Sequence, residues 1–463
     1  MAEDAIIPVV EHIVNSNYKN LKEDIIQESK KRVVDTFGAL VASSNTRETI
    51  ILGEYIDEIE GQKTCTVFNL NKKTIVTEAA MANATMARVM DLDDVFELTS
   101  THIHVSIVPT AMALAEMLGN ITGKEFLHSI ILGADLIARL SLANNIPTAI
   151  SGMNATYQLG TFGCTATAGK LLKLNKEQML NAMGIAYAHL AGNSQCLVEG
   201  AMTTRLSGGL SAKNGISSAI LSKKGFTGVK EILEGKFGYF KLYQKNDYNR
   251  DILLEDLGKI YWNIKSTIKK YSCCMHTHAA IIALENILKE FNLCGEMISR
   301  VNVKVNQQAY NLVCLGENQK RNPKSIPEAQ FSMAYVLGTI LQQKSLSLKD
   351  FTDRKIKSKK RLKYCSLIHS SVSDEIDKNT GKQISPALVE VFLKDGSRHE
   401  KYVDRRKGHP DNPLSMEELK EKFKNCLSFR GKMKKESVQD AIFTKIMNLE
   451  KYNPIRIATL LKN

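Results

Sequence analysis

The sequence predicts a mostly α protein: a large all-α helical domain with a smaller inserted α+β lid domain. Three observations predict it. Apolar residues recur at helical spacing through roughly the first 260 positions, with almost no alternation of the β kind. Alternation first appears at Val301, Val303 and Val305 and again at Ala387, Val389, Val391 and Leu393. Helix signals then return at Ser415. The boundaries that follow are 1–267 for the first helical segment, 268–405 for the lid, and 406–463 for C-terminal helices returning to the helical domain.

Residues 9 to 41 read as two helices, with Val33, Val34, Phe37, Leu40 and Val41 on one face. A further helix spans about Thr77 to Val89. Another runs from Ile107 to Leu118 and stops at Gly119-Asn120. Thr122-Gly123-Lys124-Glu125 is a capping box ahead of Leu127, Ile130, Ile131, Ala134 and Ile137. From Gly160 to Leu172, and again from Gly208 to Leu221, small residues let helices approach closely; Asn175 caps the helix between them. In the lid a helix covers about His278 to Phe291, another Phe331 to Leu341, and Asp395-Gly396 makes a hairpin turn. Ser415-Met416-Glu417-Glu418 is a second capping box.

Composition narrows the function. A chain of 463 residues, 43% hydrophobic and 24% charged, is an ordinary globular protein too long for one small core. No basic segment leads into an apolar run and no uninterrupted apolar stretch is long enough to span a bilayer, so the expectation is a cytoplasmic protein without membrane partners. Nine cysteines, an odd count without regular spacing, point to reduced thiols. The net charge is +13. Its basic residues are dispersed, and the densest run, Arg354 to Lys363, lacks interleaved aromatics, so nucleic acid is not expected. A positive potential that draws in a small anionic substrate is the preferred reading.

The chemistry concentrates in Met90-Asp91-Leu92-Asp93-Asp94 and Thr101-His102-Ile103-His104. Three carboxylates and two histidines among apolar and small residues are costly to bury unless they are paired or used. A solvated acidic helix end with surface histidines is the bland alternative. Lys213 lies among small residues after Gly208-Gly209; desolvation there would lower its pKa toward a base, whereas a helix lysine more often snorkels to the surface. Lys269 to His278 falls at the domain junction, but Cys273-Cys274 lacks the spacing of a zinc site, so a helix N-terminus is the simpler reading and no metal is expected. Gly408 to Leu414 reads as a stiff structural turn. No phosphate loop and no nucleophile elbow is present. Asp93-Asp94-Val95-Phe96-Glu97 also resembles the magnesium motif of all-α terpene synthases, a competing alternative.

Taken in order, several patches resemble the MmgE/PrpD family, which includes 2-methylcitrate dehydratase, cis-aconitate decarboxylase and iminodisuccinate epimerase. They are Asn83 to Asp94; His102 with Pro109 and Ala113 to Glu116; Gly209 to Gly215 with Gly225 to Gly228; Lys269, Tyr271 and His278; Ala329 to Tyr335; and Gly408 to Leu414 with Lys422-Phe423. Arg88, Val95, Asn154 and Ser207 depart from the family pattern. The resemblance implies a helical domain with an α+β lid, a homodimer, no organic cofactor, and proton transfer next to a carboxylate of a small di- or tricarboxylic acid. By resemblance Asp91, His102, Lys213, Lys269, His278 and Tyr335 line the site; the expected catalytic residues are His102, His278, Lys213, Tyr335 and Asp91, and the expected substrate-binding residues are Lys269, Arg88 and Asp93. His102 and His278 would form the acid/base pair, the cations would clamp carboxylates, Tyr335 would donate a hydrogen bond, and Asp91 would orient a histidine or lysine. Dehydration is the first expectation. Decarboxylation and epimerisation are alternatives within the family, and a non-catalytic homologue that only binds a carboxylate is an alternative of a different class.

Overall fold

The computed structural model describes residues 3–380, 386–429 and 435–462. Met1 and Ala2 lie outside the described residues. The chain forms two compact units: Met1–Val89, Asp93–Ser266 and Ser415–Asn463 make the first, and Met90–Leu92 with Thr267–Leu414 the second.

The first unit is helical. Its leading elements are α1 (Ile6–Asn15), α2 (Glu23–Ala42), α3 (Arg47–Asp57), the hairpin β1 (Cys65–Val67) and β2 (Lys72–Thr74), α4 (Val76–Val89), α5 (His104–Leu118) and α6 (Gly123–Ala143). The helices Ala155–Leu171, Lys176–Ala188 and Thr203–Lys223 follow, and Met416–Phe429 and Glu436–Met447 return to the same unit. The hairpin departs from the all-α expectation; three residues per strand leave too little alternation to register. Caps explain the breaks. Thr122 accepts from the Glu125 amide while Glu125 accepts from the Thr122 amide, and Asn175 and Gln178 repeat the arrangement. Gly119, at φ 77°, ends α5.

Small residues bring the helices together. A Cβ on Gly215 would stand 2.4 Å from the Cβ of Cys164, and one on Gly163 would stand 2.7 Å from the Gly133 carbonyl oxygen. Although the sequence shows no uninterrupted span, α6 is, by length and composition, long and apolar enough to cross a membrane. Its apolar stretch is 94% buried and it carries the Arg139–Asp135 ion pair at 2.7 Å, so it serves as a core helix.

The second unit is built on a four-stranded sheet in the order β4-β3-β5-β6, from β3 (Ile298–Val305), β4 (Ile368–Val372), β5 (Ala387–Leu393) and β6 (Arg398–Val403). β3 runs parallel to β4 and antiparallel to β5, which pairs antiparallel with β6. The helix His278–Glu290 packs on β5 and β6, and Met333–Gln343 on β4. Their apolar faces meet Val301, Val303, Val389 and Val391 in one core.

The boundaries differ from the sequence reading at two places. Residues 406–414 belong to this second unit, because Gly408 exchanges backbone contacts with Ile268 and Asn412. Gly408 sits at φ 94°, where a Cβ would come within 2.0 Å of the Ile268 carbonyl oxygen. Met90–Leu92 also belongs here, held by Gln330 Nε2 and Ser272 Oγ, which both donate to the Met90 carbonyl.

Candidate active site

The expected site residues divide between the units. In the first, α4 ends at Val89 and α5 begins at His104, so the intervening loop carries Asp93, Asp94 and His102. Phe96 and Thr101 close that loop with two backbone hydrogen bonds. His102 Nδ1 lies 2.7 Å from Asp93 Oδ2, and Arg88 Nη1 reaches Asp93 Oδ1 at 3.2 Å. Asp93 is fully buried, the Arg88 side chain is 6% exposed and that of His102 is 12% exposed. A carboxylate accepts only, so Nδ1 carries the proton and Asp93 sets the tautomer. Nε2 is the ring nitrogen turned away from Asp93.

This geometry changes two assignments. Asp93 and Arg88, expected to bind substrate, are engaged with each other and with His102. Nor do Asp93 and Asp94 form a magnesium motif: His104 Nδ1 lies 2.7 Å from Asp94 Oδ2, so each carboxylate holds a histidine. Among the described residues no group of three or more His, Cys, Asp or Glu side chains is arranged to hold a metal ion.

Behind the pair stands a third carboxylate. Asp35 on α2 pairs with Lys422 from the C-terminal helix, both buried. Burial pushes Asp35 up to about 6, against the pull of Lys422 and with help from the charges of Asp94 and Asp93. Asp94 goes the other way. Burial opposes its ionisation, but His104, the Ser266 hydroxyl and Arg32 outweigh that and hold it well below the usual carboxylate range.

For Lys213 the lowered pKa weighed from its small neighbours is not found. Its Nζ lies 2.6 Å from Glu78 Oε1, and Tyr55 donates to Glu78 Oε2 at 3.2 Å. Burial works to lower its pKa, but the side chain is 34% exposed, and the bond and charge of Glu78 prevail, so the pKa is raised. Lys213 is a persistent ammonium group, not a base. The sequence does not reveal Glu78, which lies far from Lys213 along the chain.

In the second unit Asp91 faces Lys269. The ammonium nitrogen is 3.2 Å from Asp91 Oδ2 and donates to the Asp91 carbonyl at 3.1 Å, with both side chains buried. Asp91 has φ 50°, a left-handed conformation that costs about 1 kcal/mol in a residue other than glycine and is tolerated best by Asn and Asp. His278 is fully buried; its Nε2–H donates to the Cys273 carbonyl at 3.3 Å and its ring meets Tyr271 edge-on. Burial, aided by the charge of Lys269, lowers neighbouring His276 to about 4.

Tyr335 departs from the expectation of a hydrogen-bond donor to substrate. It is fully buried in the core, its hydroxyl donates to the Asp350 carbonyl at 2.6 Å and it accepts from Arg361 at 2.8 Å. That hydroxyl is committed to holding Arg361 and Asp350 together. Cys273 and Cys274 are free thiols, and all nine cysteines are unlinked. Burial pushes Cys274 up to about 11, which keeps it a neutral thiol. A cavity of about 280 Å³ in the first unit, lined by Val14, Ile121, His128, Lys170 and others, contains none of these residues.

Comparison with known proteins finds two family models along the chain. The MmgE/PrpD N-terminal domain model matches residues 9–251 and the MmgE/PrpD C-terminal domain model residues 271–447. Similar relatives include the cis-aconitate decarboxylase of Aspergillus terreus, 23% identical over 94% of this chain and 91% of its own length. The human enzyme of the same name is 25% identical over 96% and 91%, and that of Mus musculus 24% over 96% and 90%.

Proposed function

The chain belongs to the MmgE/PrpD family, and from that premise we propose that it is a lyase acting on a small di- or tricarboxylic acid, with decarboxylation ahead of dehydration. The relatives named as cis-aconitate decarboxylases support placing decarboxylation ahead of the dehydration first expected. The observation that carries the reading is the Asp93–His102 pair, a partly exposed imidazole with its tautomer fixed by a buried carboxylate.

The chemistry follows from charge. When a carboxylate leaves as CO2, its bonding electrons remain on carbon and spread into a neighbouring unsaturated carboxyl group. Protonated His102 delivers a proton from Nε2 to that carbon and is reprotonated from water. Arg88 and Asp93 keep the local charge balanced while the imidazole alternates between states. Lys213, charged at neutral pH, supplies a cation for a substrate carboxylate.

The test is proton NMR in D2O with a panel of small carboxylic acids, including cis-aconitate, 2-methylcitrate and iminodisuccinate. A new alkene signal with CO2 release and deuterium at one carbon supports decarboxylation; an alkene without CO2 release supports dehydration. His102→Gln is expected to lower turnover by about 10²- to 10⁴-fold, the worth of a positioned acid–base group. Unchanged turnover in that variant, or no reaction with any acid, removes the proposal. The homodimer implied by the resemblance is proposed too. Exposed Ile150, Val198, Phe226 and Phe237 on the first unit support it, and a light-scattering mass of a single 51.6 kDa chain would exclude it.

A further inference from the structure

We propose that Asp94 and His104 form a second, purely positioning pair, which fixes the segment from which His102 reaches Asp93. Two adjacent carboxylates each take one of two histidines spaced by a single residue, both at 2.7 Å. The environments differ. The His102 ring keeps some exposure, whereas the His104 side chain has none. His104 must act through something else.

What it acts through is the start of α5. His104 is the first residue of that helix, and Ile103 before it provides no side-chain cap. Asp94 fills the gap: its Oδ1 accepts from the His104 backbone amide at 3.3 Å while Oδ2 accepts from the ring. One carboxylate therefore grips both the main chain and the side chain of the residue two places after His102. Nε2 of His104 makes no hydrogen bond among the described residues, so Asp94 is the ring's only hydrogen-bond partner.

The anchor is itself fixed. Asp94 meets the Ser266 hydroxyl and the charge of Arg32. Arg32 donates to Ser266 Oγ at 2.9 Å and to the Ser266 carbonyl at 2.7 Å. On the other flank the His102 amide donates to Thr156 Oγ1 at 3.2 Å. Between the Phe96–Thr101 bridge and the Asp94–His104 grip, His102 has little freedom to leave Asp93. The charged and titratable groups around the two pairs are Arg32 and Asp35 on α2, Arg88 on α4, and Lys422 on the C-terminal helix.

The functional meaning rests on the proposed role of His102, but the test does not. Short histidine–carboxylate bonds give ring N–H protons that resonate far downfield and exchange slowly. The native protein, labelled with ¹⁵N-histidine, is expected to show two such signals, assigned by their loss in His102→Gln and His104→Leu. In His104→Leu, which keeps the bulk and removes the donor, the His102 signal should vanish or exchange at least tenfold faster. In His104→Asn, whose amide stands near the place of Nδ1, it should be retained. An unchanged His102 signal in His104→Leu, or equal loss in both variants, overturns the proposal. If the leucine variant does not fold, Asp94→Ala is read the same way: loss of the His102 signal supports the proposal and persistence overturns it. No substrate is needed, so an inactive protein with a well-held His102 would count against the lyase reading alone.

Discussion

At the scale of single residues, the two lysines expected to act alike are set apart by their partners. Lys269 is sealed against Asp91, while Lys213 keeps a third of its surface and shares Glu78 with Tyr55. Because Glu78 raises its pKa in spite of partial burial, Lys213 remains protonated throughout the neutral range. Its expected contribution is to binding. Lys213→Met should raise KM for the carboxylate substrate about tenfold, near 1.4 kcal/mol, with a smaller change in kcat. A collapse of kcat with KM unchanged, together with loss of an alkaline limb in the pH profile, would instead make it a base. The Asp93–His102 pair rests on a different kind of information. The sequence places carboxylates and histidines close together, but which carboxylate holds which histidine depends on side-chain directions that spacing does not encode.

At the scale of elements, the helix seams depend on glycines whose missing Cβ atoms decide how closely backbones approach. Gly215 on Thr203–Lys223 faces Cys164 on Ala155–Leu171, where an added Cβ meets the Cys164 Cβ at 2.4 Å and backbone atoms at 2.8 Å. Backbone cannot yield as a flexible side chain can, so Gly215→Ala should destabilise the first unit by about 1–3 kcal/mol, read as a lower urea midpoint. An unchanged midpoint would mean the two helices separate freely. This seam was legible from the runs of Gly, Ala and Thr, and so were the caps at Thr122, Asn175 and Ser415. β3 and β5 were legible because one face of each is buried. β4 and β6 were not. They are the edge strands, and β6, Arg398-His399-Glu400-Lys401-Tyr402-Val403, has no fully buried residue to mark a core face. The units' membership escaped for a related reason: Met90–Leu92 joins the second unit through Gln330 and Ser272, contacts more than 180 residues away.

At the scale of the molecule, buried histidines make stability depend on pH. Burial lowers His128 to about 3, with Lys170 and His12 adding to it, and lowers His12 to about 4, with Arg139 and Lys170 adding. An unfolded histidine takes up its proton near pH 6.5, whereas these stay neutral in the folded unit. Between about pH 6.5 and pH 4 the unfolded chain therefore binds more protons than the folded one. The stability is present in full above pH 6.5 and is lost as pH falls through that window. Asp35, raised to about 6, has the opposite sign: between roughly pH 4 and 6 the folded state holds its proton and is favoured by acid. Two histidines outweigh one carboxylate, so acidification from pH 7 to pH 5 should weaken the first unit by about 2–3 kcal/mol, each fully shifted pH unit of one group being worth about 1.4. Trp262, the single tryptophan, lies in that unit and reports its unfolding without interference from the second. Its fluorescence midpoint in urea should be lower at pH 5 than at pH 7. His128→Gln removes one titrating group and keeps a polar partner for the Ser16 hydroxyl, which lies 2.7 Å from His128 Nε2; with Asp35 still opposing the remaining histidine, it should reduce the difference by about three quarters. Equal midpoints at the two pH values in the native protein would show that these imidazoles take up protons without unfolding, through local opening around Ser16 and Lys170.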